Sequence, residues 1–110
     1  MGQVESNEWC GIERFNGDNW FVLASGRGSP AYHLGIGVGP DDDTGASRFL
    51  GLLSASLVSE SAFGSAVSAL PTLTDGPFPD VDPAAWWSGL SATAKSRARE
   101  AARLKARRVG

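Results

Sequence analysis

The last sixteen residues, Lys95 to Gly110, leave the chain few options: they read KSRAREAARLKARRVG. Seven of the ten basic residues stand there, with a single acid, Glu100. A run this charged offers a core only a shallow face of alanine methyls. Ala, Arg, Lys, Glu and Leu are also the strong helix formers, and no Gly or Pro interrupts the run before Gly110. It therefore reads as helix. Ser91 is placed to cap it, its hydroxyl accepting from a free first-turn amide. Cations in the last turns suit the negative end of the helix dipole.

At about 100° per residue, Leu90, Ala94, Ala98, Ala101 and Leu104 share one face of that helix. Lys95, Arg99, Arg103 and Arg107 lie away from it, whereas Arg97, Lys105 and Arg108 fall on or near the apolar arc. The expectation is a helix that packs through its first turns. Its charged end projects, or is ordered by an anionic partner.

Charge is distributed unevenly. Residues 1–94 hold three bases against eleven acids, net −8, and residues 95–110 hold seven bases against one acid, net +6. The overall −2 hides this dipole. At 110 residues the chain makes one domain with a modest core, to which four Trp and five Phe contribute heavily. The expected division is an acidic α+β body over 1–90 and a basic helical tail over 91–110.

Along the body, Trp9 to Phe15 reads as a strand, Asn16-Gly17-Asp18 as a tight hairpin turn and Trp20 to Ala24 as the returning strand. Arg27-Gly28-Ser29-Pro30 is a second turn, and Ala31 to Val38 a third, glycine-softened strand. One apolar face is expected to carry Trp20, Val22, Leu34 and Ile36. Thr44 or Ser47 would cap the next element. Ser47 to Leu70, with Arg48 and Glu60 as its only charges, reads as one helix or as two with a break near Ser59 to Gly64. Phe49, Leu52, Leu53, Leu57, Phe63, Val67 and Leu70 would face the sheet. Gly51 and Gly64 each cost about 1 kcal/mol relative to Ala. Serines and a mid-span Glu60 exclude a membrane-spanning helix here, a buried charge costing at least ~2.5 kcal/mol at a bilayer centre. Pro71 ends the helical region, and Asp82-Pro83 starts a short helix carrying Trp86 and Trp87. The fold class is therefore α+β: an N-terminal three-stranded antiparallel meander packed by a central helical region, followed by a basic C-terminal helix.

Catalytic and metal chemistry find little support. A triad of Ser25 or Ser29, His33 and one of Asp41 to Asp43 lacks the G-x-S-x-G elbow. Adjacent aspartates diverge, the calcium-loop pattern is absent, and one His with one Cys cannot build a zinc site. The glycines of Gly26-Arg27-Gly28 and Gly35-Ile36-Gly37-Val38-Gly39 match no phosphate-loop pattern. No catalytic residue, metal or cofactor is assigned. Cys10 has no intramolecular partner, and the N-terminus has no signal-peptide pattern, so an intracellular, cytoplasmic protein is expected.

The function expected is that of a small non-enzymatic binding protein whose basic helix engages an anionic partner. Nucleic acid is the first such partner. Its phosphates would be met by Lys95, Arg97, Arg99, Arg103, Lys105, Arg107 and Arg108, with Trp86 and Trp87 as interface anchors. The strands carry only Arg14 and Arg27 among many acids, which argues against a sheet that reads DNA. The alternative is an interaction or assembly protein, such as a virion component or small inhibitor. There the acidic body and basic tail would contact an acidic protein surface or further copies in a homo-oligomer.

Overall fold

Asn16 and Gly17 close the first hairpin with φ of 51° and 81°, the paired positive values that a two-residue turn requires. The computed structural model describes residues 9–24, 33–40, 42–73 and 82–109. The hairpin joins β1 (Trp9–Phe15) to β2 (Asp18–Ala24), and β3 (His33–Pro40) pairs antiparallel on the far side of β2. The strand order β1-β2-β3 makes β2 central, as expected of the meander. The turn expected at Arg27 to Pro30 lies outside the described residues.

The continuous apolar run Trp20 to Leu23 marks a strand buried on both faces. Phe21 and Leu23 join Cys10, Ile36 and Val38 in the core under the helices. Trp20 and Val22, equally buried, point the other way. There Leu73 lies so close over Gly37, the partner of Trp20, that a Cβ on that glycine would overlap it. The single apolar face expected for Trp20, Val22 and Ile36 is thus split between two faces, because Phe21, not Trp20 or Val22, registers with Ile36. The side chain of Leu34 is outside the described set.

Asp42, rather than Thr44 or Ser47, caps α1 (Asp43–Val58), its Oδ1 accepting from Thr44 N at 2.8 Å. Ser59 alone makes the break: extended at φ −171°, it ends α1 and caps α2 (Glu60–Ser68) by accepting from Ala62 N at 3.0 Å. Asp82 caps α3 (Pro83–Gly89), and Ser91 Oγ accepts from Ala94 N at 3.1 Å at the start of α4 (Ala92–Val109). Leu52, Leu53, Phe63 and Val67 are buried as expected, with Phe49 and Leu70 packed at the margin. Leu57 is not: it is 50% exposed, being on the outer side of α1.

Phe63 is the hub. Its ring meets Phe21 at 6.4 Å and Trp87 at 5.5 Å, both edge-on, and Phe21 meets Phe49 at 5.8 Å. Such pairs contribute about 0.5–1.5 kcal/mol beyond their burial. Trp87 reaches Phe63 across Gly64, where a Cβ would overlap the indole.

The C-terminal helix does not project. Ala98, Ala101, Ala102 and Ala106 are buried in the same cluster as Phe21 and Phe63, and α4 packs on β1, α1 and α2. The buried arc is centred on Ala102, away from Leu104, which is 39% exposed. Alanine was the better guide than leucine because its methyl lets two backbones approach closely. Arg99 contacts Ser56 near the end of α1, and Ser96 contacts Glu60 at the start of α2. From there α4 runs back along α1. Among the described residues no helix is long and apolar enough to cross a membrane.

Candidate anionic-partner surface

Three of the seven cations on α4 are engaged within the fold. Arg99 Nε donates to the Ser56 carbonyl at 2.7 Å. The last turn of α1 has no basic residue of its own, so Arg99 supplies the charge its negative end lacks. Arg103 grips Glu100 with two bonds, of 2.9 and 2.8 Å. Lys95 Nζ stands 5.6 Å from the centre of the Trp87 ring, a cation–π contact that ties the first turn of α4 to α3.

The Glu100 carboxyl is held below its ordinary value chiefly by the hydrogen bond from Arg103, with the charges of Arg103, Arg99 and Arg107 adding to it. The pair therefore favours the folded helix above the unfolded pKa of Glu100. That contribution disappears as pH falls through the lowered folded value. Being exposed, it is small.

Lys105 is half-buried beside Cys10. Burial pushes the Cys10 thiol up to about 12, against the opposing pull of the Lys105 charge. A thiol so raised is almost wholly protonated at pH 8. Cys10 should therefore react with a disulfide reagent such as Ellman's only as fast as the protein unfolds. Prompt labelling of the folded protein would show that the thiol is neither buried nor neutral.

Arg97, Arg107 and Arg108 remain. All three are exposed, and among the described residues they have no hydrogen-bond or ion-pair partner. Arg97, Leu104 and Arg108 fall within about 40° of one another around the helix, with Arg107 on their flank. From Arg97 to Arg108 the row spans about 16 Å. Docking α4 through its alanines is what turns these side chains outward on a fixed scaffold.

The two tryptophans pack on the core with part of each ring exposed. Trp87 is wedged between Phe63, Gly64 and Lys95, and Trp86 packs on it at 6.2 Å. Both are half-buried against the core cluster, where they hold α3 in place. Trp86 Nε1 is buried with no partner among the described residues.

Other residues singled out in the sequence fall elsewhere. His33 lies on β3, but its side chain, like Ser25, Ser29, Asp41 and Gly26 to Gly28, is outside the described set. Asp42 and Asp43 form the N-terminal end of α1. Gly39, at φ +118°, admits Arg48, whose Nη1 donates to the Val38 carbonyl at 3.3 Å. Among the described residues no cluster of His, Cys, Asp and Glu could hold a metal ion. No protein-family model, curated protein or solved structure matches the chain.

Proposed function

We propose that this is a binding protein whose α4 outer face receives an anionic macromolecule, with nucleic acid as the first candidate. The observation that carries the reading is the set of three exposed arginines, Arg97, Arg107 and Arg108, without a partner among the described residues, on a helix already anchored to the body. A pre-ordered helix avoids the ordering cost that a free basic tail meets on binding. Contacts of this kind position a phosphate backbone without reading bases. Lys95, Arg99, Arg103 and Lys105 contribute mainly to the surrounding positive field, because three hold intramolecular contacts and Lys105 is half-buried. The acidic body limits contact to α4.

A second reading, an acidic protein surface as partner, is favoured by Leu104. It is 39% exposed between Arg97 and Arg108, where phosphates would leave it idle. Fluorescence anisotropy with a labelled DNA duplex and with labelled polyglutamate, each across salt, separates the two. Removal of α4 is the wrong control, because Ala98, Ala101, Ala102 and Ala106 belong to the core. Point substitutions on the outer face are the right one.

A further inference from the structure

The outer face of α1 is unlike a solvated helix surface. From residue 47 to 58 its exposed positions are Ser47, Leu50, Gly51, Ser54, Leu57 and Val58, and none carries a charge. Leu50 is 54% exposed, Leu57 50% and Val58 73%. A helix face turned to water ordinarily carries charged and polar side chains.

Gly51 sharpens the question. Glycine in the middle of a helix is unfavourable. At Gly37, Gly39, Gly45 and Gly64 a Cβ would press on a neighbour, so the chain itself explains those residues. At Gly51 a Cβ would meet nothing within 4 Å. Among the described residues nothing requires a bare backbone there, as at Gly89 at the end of α3, so Gly51 leaves room for a partner to approach α1 closely.

We infer that the occupant is a second copy, its α1 packed antiparallel on this one with Gly51 near the closest approach. A two-fold axis at Ser54 lays Leu57 over Gly51 of the second copy and Leu50 beside its Val58, and repeats both contacts by symmetry. Large side chains thus meet small ones on a face that complements itself. The charges agree. Antiparallel packing opposes the two helix dipoles. It also sets the acidic N-terminal end of α1, Asp42 and Asp43, toward the C-terminal end of the second copy's α1, which Arg99 caps, a favourable but solvent-screened and minor contribution. An uncharged face offers a phosphate backbone nothing, which separates this surface from α4. In the dimer the two α4 helices present two cationic faces, so an extended polyanion is bound with avidity.

One helix pair makes a small interface, and interfaces of that class are weak and transient, so association is expected at about 10–100 µM. Sedimentation equilibrium of the full chain tests it. The wild type should form dimers in that range, with a constant that changes less than about twofold between 0.1 and 0.5 M salt because the contact is apolar. Gly51→Gln and Leu57→Glu should each weaken the dimer at least about tenfold. Gly51→Gln places a good helix former in open space, so its monomer should melt no lower than the wild type. A wild type that stays monomeric at about 200 µM would overturn the proposal. So would dimers unaffected by both substitutions, or dimers that salt dissolves, which would place the contact on α4. The outcome is independent of polyanion binding by Arg97, Arg107 and Arg108.

Discussion

Gly64→Ala is expected to lower the melting temperature by about 10 °C, although alanine is the better helix former. The gain in helix propensity is about 1 kcal/mol. Against it, the new methyl would overlap Nε1 and Cε2 of Trp87 and crowd Cζ2. That ring cannot simply step aside. It is held edge-on to Phe63 at 5.5 Å, against Trp86 at 6.2 Å and under Lys95. Overpacking of a closed site costs typically about 1–3 kcal/mol, and here loss of the aromatic contacts adds about 0.5–1.5. Gly51→Ala makes the matched control, because its methyl enters open space. In dilute protein, where the monomer dominates, it should raise the melting temperature by about 5 °C. Thermal circular dichroism of the two variants therefore gives opposite signs. A stabilised Gly64→Ala protein would mean that Trp87 does not lie on α2.

The contrast between these glycines shows what the residue string contains and what it omits. Both sit in helical patterns, and propensity assigns them the same cost. Only the tertiary neighbour, an indole in one case and solvent in the other, tells them apart. Local chemistry was well marked elsewhere. Asn16-Gly17 gave the hairpin, Ser59 fell within the expected break, and Asp82-Pro83 and Ser91 capped their helices. These signals act within four residues and need no knowledge of the fold.

Where the reading failed, long-range packing decided. Leu104 is expected on one face with Ala98 and Ala101, and those two alanines are buried, yet the buried stripe is centred on Ala102 and leaves Leu104 partly outside. Counting large apolar side chains underrates a face built for close approach. The same habit placed Leu57 against the sheet. Leu57 instead lies on the outer side of α1, whose exposed positions from 47 to 58 carry no charge. Trp20 and Val22 were assigned to the face of Ile36 because the strand register, which depends on the second connection, is not written in the strands themselves. In the candidate site, the seven cations were visible as a group. Their sorting was not: Arg99 turns inward to a helix end and Arg103 to Glu100, while Arg97, Arg107 and Arg108 face out.

Charge reversal of those three arginines carries the largest functional effect. Arg97→Glu/Arg107→Glu/Arg108→Glu changes the outer face from three positive charges to three negative ones without touching Ala98, Ala101, Ala102 or Ala106, so the fold should persist by circular dichroism. Reversing Arg99 and Arg103 instead would confuse binding with stability, since the first caps α1 and the second pairs with Glu100. If three phosphates are neutralised, log K for a DNA duplex should fall with log salt at a slope of about −2.7, a loss of about 40-fold between 50 and 200 mM. The triple variant should bind at least about 100-fold more weakly at the lower salt.

That comparison, wild type against the triple variant by fluorescence anisotropy at low salt, bears most directly on whether α4 is an anion-receiving face. The account predicts salt-sensitive binding of a DNA duplex or polyglutamate by the wild type and its loss in a variant that remains folded. Binding of equal strength by both proteins, or binding of neither probe by the wild type, would contradict it.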